Sequence, residues 1–348
     1  MDTERQGGKV IAVLIAVIMV IVIAVSLIRI LISSNNNEIG ENEIGENEIS
    51  KDTPESTLPD AEDTVQGDDG KIYKREKYIK AVMCLGVDTD RSMYEKRQAG
   101  SGGHADSIAL IAWDTARNEV KILMIPRDTM TDIMLTDING NELGKSKQHI
   151  TMAYAYGDGK QLSCEYTRSA LSELLSGLDI DFYVALNVNA ISILNDDVGG
   201  VSVTINDDSM EEVYPELKKG SFVKLDGEQA EFFVRYRDIN EDFTAIKRMD
   251  NQKEYIKGFH NALKKQGSKK DSLIEKLIDD INPYMVTDME KAELLKLGAD
   301  GAQSSDLTEE DILVIPGKSV TTELYDEYYP DKNGVKKMVL DLFYREVQ

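Results

Sequence analysis

Cysteine is scarce in this chain: Cys84 and Cys164 are the two thiols in 348 residues. No disulfide framework can hold such a fold, and a chain of this length can bury a sizeable core without one. Histidine is almost as rare. His104, His149 and His260 stand far apart, without zinc-ligand spacing. The patterns G-x-x-x-x-G-K-S/T, H-E-x-x-H and G-x-S-x-G are absent, which removes P-loop chemistry, zincin proteolysis and the serine-hydrolase elbow. Positive charge is outnumbered, with 40 Lys and Arg against 63 Asp and Glu and a formal net charge of −23. That excess rules out a nucleic-acid binder that works by neutralising phosphates. An anionic substrate would need a local cluster of arginines or a bound cation to reverse the field.

Against these absences stands one long apolar run. Val10–Ile32 spans 23 residues with Arg29 as its single charge. At a rise of about 1.5 Å per residue it reaches roughly 35 Å, enough to cross a hydrocarbon core. It is longer than the apolar region of a cleaved signal peptide, and Ser33-Ser34-Asn35 offers no small-residue cleavage pattern. Arg5 and Lys9 precede the run, and after Arg29 no Lys or Arg follows before Lys51. The expectation is a signal anchor at 10–32, a cytoplasmic N-terminus at 1–9, and everything from residue 33 outside the cell membrane as a single-pass protein. Residues 33–70 carry twelve acids against Lys51 and contain the repeat Asn-Glu-Ile-Gly-Glu. This composition reads as a disordered acidic linker.

From Lys71 to the end the pattern is globular. Tyr78–Val87, Ser107–Trp113, Val120–Ile125, Phe182–Asn187, Val201–Ile205 and Ile312–Ile315 read as strands. Ser163–Leu178, Ile246–Lys265 and Val335–Tyr344 read as helices, and Thr287-Asp288-Met289-Glu290 as a capping box. Intermixed strands and helices predict an α/β layered domain, a mixed central sheet flanked by helices, over residues 71–348. Cys84, within Ala81-Val82-Met83-Cys84-Leu85-Gly86, reads as a buried small residue. Cys164 opens a helix, and a bridge between the two stays open.

Two features carry chemistry. Asp88 ends one strand and Asp106 begins the next. If those strands are neighbours, both carboxylates converge at one sheet edge, a donor pair suited to Mg²⁺. The other reading is that each caps a turn. Arginines recur at the ends of apolar elements: Arg127, Arg235, Arg237 and Arg248. Their forks match phosphate oxygens, with surface ion pairing to Asp128 and Asp238 as the plainer account. Arg235 and Arg237 alternate on a strand or lie about 200° apart on a helix.

Taken in order, these segments closely resemble the LytR-CpsA-Psr family of bacterial cell-wall proteins. The resemblance rests on Gly86-Val87-Asp88-Thr89-Asp90-Arg91, Ala105-Asp106-Ser107-Ile108 and Met124-Ile125-Pro126-Arg127-Asp128-Thr129. It continues through Ala153-Tyr154-Ala155-Tyr156-Gly157, Asp179-Ile180-Asp181-Phe182-Tyr183-Val184, Val198-Gly199-Gly200-Val201, Leu225-Asp226-Gly227-Glu228-Gln229-Ala230 and Val234-Arg235-Tyr236-Arg237-Asp238. It implies a phosphotransferase that moves a polyprenyl-pyrophosphate-linked glycopolymer, such as teichoic acid or capsule, onto a peptidoglycan hydroxyl and releases polyprenyl phosphate. By the same resemblance Asp88 and Asp106 hold Mg²⁺, or Mn²⁺ in its place. Arg127, Arg235, Arg237 and Arg248 bind the pyrophosphate, and Arg91, Asp238 and Gln252 complete the substrate site. The chain departs from the family pattern at His104 and Asn251, where the family usually carries arginine. A non-catalytic binder or regulator of lipid-linked polymers is the alternative. It would need the arginines but not the aspartates, and both aspartates are present.

Overall fold

The computed structural model describes residues 64–207, 209–236, 244–266, 270–323 and 325–347. The anchor expected at 10–32 lies outside them, as do Arg237 and Asp238. Among the described residues no helix is long and apolar enough to cross a membrane.

In chain order the elements are β1 (Thr64–Gln66), β2 (Ile72–Arg75), β3 (Ile79–Val87), β4 (Ala105–Asp114) and β5 (Glu119–Ile125). A hairpin, β6 (Met130–Thr136) and β7 (Glu142–His149), leads to α1 (Gln161–Leu174), β8 (Phe182–Asn187), α2 (Asn189–Asp197), β9 (Val201–Thr204) and β10 (Phe222–Leu225). Then come α3 (Gly227–Arg235), α4 (Thr244–Lys265), α5 (Lys270–Ile281), β11 (Met285–Thr287), α6 (Lys291–Gln303) and β12 (Ile312–Val314). The chain closes with β13 (Gly317–Thr321), β14 (Asp326–Pro330), α7 (Lys332–Phe343) and β15 (Tyr344–Val347).

Six strands form the central sheet in the order β11-β8-β3-β4-β5-β12. It is mixed: β3 runs parallel to β8 and antiparallel to β4, and β5 is antiparallel to β4 and parallel to β12. Alternation along the strands divides two apolar layers. Val82 and Cys84 of β3, with Ala109, Ile111 and Trp113 of β4, face a layer completed by α2, α3, α4, α5 and α6. Ala81, Met83, Leu85 and Val87 face the other, completed by α1 and α7. The layered mixed-sheet expectation holds. The alternation also settles the cysteines: Cys84 lies in one layer and Cys164 in the other, and both are free and buried.

Several readings need correction. Ordered structure begins before Lys71, because Thr64–Gln66 pairs antiparallel with β2 around a turn in which Gly70 takes φ +81°. This strand is short and polar, so its composition resembles that of the linker. The helix read to Leu178 stops at Leu174, and the chain then turns through positive φ at Ser176 and Gly177. The capping box sits three residues later, at Glu290–Glu293. Thr287 donates its hydroxyl to Tyr183 O at 2.6 Å, and Asp288 accepts from Tyr183 N, so Glu290 caps α6 with Glu293 as its partner.

Trp113 anchors one layer through a polar contact. Its Nε1–H donates to Asp300 Oδ2 at 2.6 Å, Lys296 pairs with the same oxygen at 2.6 Å, and Asp300 is 3% exposed. Replacing Asp300 with Ala strands the indole N–H, at a cost of about 2 kcal/mol. Urea unfolding of Asp300→Ala is therefore expected to show an earlier midpoint at unchanged slope. An unshifted midpoint would show that this pair contributes nothing to stability.

Candidate functional site

The site begins with the backbone where β3 meets β4. The register slips between Gly86 and Val87, a bulge of the kind that re-aims side chains at sheet ends. One carbonyl takes up the slack: Asp88 N–H and Asp106 N–H both donate to His104 O, at 2.9 and 3.0 Å. Gly103 makes the approach possible. Its φ is +89°, and a Cβ there would meet Asp88 O at 2.9 Å. The two aspartates expected from strand ends are thus brought to one end of the sheet by a shared acceptor. Asp106 begins a strand, β4, as expected, and its carboxylate is buried, with the residue 2% exposed.

The arginines converge on this pair. Arg127 Nη1 meets Asp106 Oδ1 at 2.6 Å, and its Nε reaches Asp128 at 3.2 Å. The pairing with Asp128 allowed from sequence is therefore real, but it occupies one edge of a fork whose other nitrogen holds Asp106. Arg248 Nη2 donates to Asp106 O at 3.1 Å from the buried face of α4. One turn on, Gln252 Nε2 donates to Ser107 Oγ at 3.2 Å. Arg235 sits in the last turn of helix α3, not on a strand, and pairs with Glu231 one turn back. Its Nε and Nη2 are buried and have no hydrogen-bond partner among the described residues. Arg237 and Asp238 remain outside the described residues.

The electrostatics follow from burial. Asp106 Oδ1 accepts from Thr151 Oγ1 at 3.0 Å, while Oδ2 is buried without a partner among the described residues. Burial raises the Asp106 carboxyl despite the opposing pull of Arg127 and Arg248. Burial, and then the charge of Asp106, push the Asp88 carboxyl up to about 7, against Arg235 and Arg127. Burial also lowers His104, so the imidazole adds no fixed cation where an arginine was expected. Two carboxylates that resist ionising side by side, one with an idle buried oxygen, fit a divalent cation that also takes phosphate and water oxygens. No group of three or more His, Cys, Asp or Glu side chains placed to hold a metal forms among the described residues.

A cleft of about 660 Å³ opens at this end of the sheet. Asp88, Arg91 and Arg235 of the expected set line it, joined by Asp90, Arg97 and Glu231. Asp106, Arg248 and Gln252 are buried behind Asp88, and half-buried Arg127 joins them through Asp106. Sequence reasoning missed Arg97, Thr151 and Glu231. Glu231 carried a readable signal, four residues before Arg235 on a helix. Thr151 is brought to Asp106 by the β6–β7 hairpin, across 45 positions, and carried none.

The LytR_cpsA_psr family model matches residues 44–342. A Bacillus cereus protein named polyisoprenyl-teichoic acid–peptidoglycan teichoic acid transferase TagU is 32% identical over 176 residues, 50% of this chain and 49% of the relative. The TagU of a second Bacillus cereus strain is 29% identical over 210 residues, 58% of this chain and 60% of the relative. The chain thus spans about half to three-fifths of the length of the curated relatives it matches. Among solved structures, B. subtilis TagV superposes with a TM-score of 0.57 at 21% identity, covering 77% of this chain and 98% of that one. A structure described as TagT bound to LI-WTA gives 0.57 at 18% identity, covering 80% and 97%. Identities this low speak for the fold. The family match, however, runs through both aspartates and every arginine of the cluster, and the chain belongs to the LytR_cpsA_psr family.

Proposed function

We propose that the protein transfers a polyprenyl-pyrophosphate-linked glycopolymer, of the teichoic acid type, to a peptidoglycan hydroxyl. The observation that carries this reading is the convergence of Asp88 and Asp106 with Arg127, Arg235 and Arg248 at one sheet end of an otherwise acidic chain. The names of the Bacillus cereus relatives support it. Phosphoryl transfer asks for positioning and charge neutralisation more than for covalent help, and this cluster offers both.

In this reading the acceptor oxygen attacks the phosphorus that bears the polymer. A new P–O bond forms, and the P–O bond to the bridging oxygen breaks. Polyprenyl phosphate leaves with the electron pair. Asp88, or Asp90 beside it in the cleft, takes the hydroxyl proton. The idle N–H groups of Arg235 are placed to donate to diphosphate oxygens, and Arg127 orients Asp106 through its fork. Asp88 and Asp106 would hold Mg²⁺, which when bound would supply charge neutralisation at the phosphates. The anchor at 10–32 keeps the domain at the outer membrane surface, where lipid-linked donor and peptidoglycan meet.

Three outcomes follow. Asp106→Asn keeps an acceptor for Thr151 and is expected to lower Mg²⁺-dependent turnover about a hundredfold while lipid binding persists. Full turnover in that variant would reject a shared metal site, and loss of binding alone would favour the non-catalytic reading. Asp106→Ala is the poorer test, because it also removes the acceptor of Thr151 and one of the two carboxylate partners of Arg127, so stability falls together with turnover. Arg127→Lys keeps charge but loses the fork, with an expected fall in kcat of about tenfold; equal rates would reduce Arg127 to a diffuse charge. Protease added to intact protoplasts should remove residues 33–348, and a domain protected until lysis would overturn the topology.

A further inference from the structure

Arg97 belongs to none of the elements that carry the cluster, yet it lines the same cleft as Asp88, Arg91 and Arg235. It sits on the segment between β3 and β4, and three contacts hold it there. Its backbone N–H donates to Asp158 O at 2.8 Å, tying the segment to the start of α1. Its Nη1 donates to Thr89 Oγ1 and its Nη2 to Ser92 O, both at 3.0 Å. Its stem crosses Gly159, where an added Cβ would stand 3.4 Å from Arg97 Cγ and Cδ.

Every acceptor in that set is a neutral oxygen. The nearest acid by contact, Asp158, spends its carboxylate elsewhere: Oδ2 faces Lys96 at 3.4 Å, and Oδ1 accepts from Lys160 N and Leu162 N at the head of α1. Arg97 therefore makes no ion pair among the described residues. A guanidinium fixed by neutral partners keeps its full charge and the rest of its N–H donors for something that enters the cleft. Thr89 links it to the reacting end, since Thr89 follows Asp88 and its hydroxyl also accepts from Arg91 N–H at 3.3 Å.

Resting on the transferase reading above, we infer that Arg97 forms, with Arg91, an outer anion subsite that grips phosphate oxygens of the donor beyond the Asp88–Arg127 cluster. Two parts of the donor present that chemistry: its diphosphate, and phosphodiesters within the polymer. Where the phosphates gripped are the polymer's phosphodiesters, the subsite makes the enzyme selective for phosphate-bearing glycopolymers over neutral ones.

The test uses the full-length chain in detergent. Inorganic pyrophosphate with Mg²⁺ and a short synthetic glycerol-phosphate oligomer are titrated separately by calorimetry, across a salt series. Arg97→Gln is expected to bind at least one probe about tenfold more weakly, with a shallower loss of affinity as salt rises. Arg97→Lys should recover part of the affinity, through charge without the fork. A loss confined to pyrophosphate assigns Arg97 to the diphosphate, and a loss confined to the oligomer assigns it to the polymer; either supports the inference. Arg117→Gln, on the β4–β5 turn where Arg117 pairs with Asp114, is the control expected to match the wild type. Unchanged affinity of Arg97→Gln for both probes overturns the inference and leaves the transferase standing. Weaker binding at an unchanged salt dependence marks a loop-ordering role and also overturns it. A wild-type chain that binds neither probe overturns both readings.

Discussion

Asp106 is a carboxylate buried to 2% exposure on a central strand, and the arrangement around it answers that burial. A buried charge needs partners. Arg127 reaches it from the end of β5, Thr151 from the turn after β7, and Arg248 meets its carbonyl from α4. These three residues come from separate parts of the chain, and the aspartate is where they meet. Even so, one oxygen is left over, and the carboxyl remains harder to ionise than a free aspartate. On the proposed reading, a cation completes what these partners leave unfinished.

The same strand serves two ends. Further along β4, Trp113 reaches Asp300, and Ile108, Leu110 and Ala112 alternate with Ala109 and Ile111 between the two apolar layers. A two-residue period gives the strand its packing. The bulge at Gly86–Val87 then breaks that period where packing ends and chemistry begins. Gly103 permits the break, since any side chain there would strike the backbone of Asp88. The rigid part of the sheet therefore holds Asp106, while the bulge and the loop it opens set where Asp88 and Arg97 face.

How much of this could be read from sequence depended on burial. β3, β4, β5 and β8 are apolar runs, and their boundaries were legible to within two residues, so Asp88 and Asp106 could be placed at adjoining strand ends. β7, Glu142–His149, is almost wholly exposed and reads Glu-Leu-Gly-Lys-Ser-Lys-Gln-His; with no face to bury it shows no alternation, and it went unseen. Thr151, which that hairpin delivers, was hidden with it. Arg235 was ambiguous because Val-Arg-Tyr-Arg suits either period, and what decides for helix is the box between Asp226 and Gln229 nine residues earlier. Arg97 had no signal at all. Its place depends on a backbone bond to Asp158 and on room over Gly159, neither of which is a local property of the residues around it.

An acidic chain that handles an anion must solve a problem of field as well as of fit. With a net charge of −23 the distant potential repels a phosphate, but screening confines that repulsion to about a Debye length at physiological salt. Within the cleft the balance is local. Glu231 is matched by Arg235, Asp106 by Arg127, and Asp158 is turned away towards Lys96 and the head of α1. What remains is the unpartnered edge of Arg235, the charge of Arg97 held by neutral oxygens, and two carboxylates whose repulsion a cation would relieve. On the proposed reading, capture cannot come from long-range attraction. A membrane shared by the anchored enzyme and its lipid-linked donor would bring the two together instead, leaving a short cationic patch to act only once the phosphates are already at the surface.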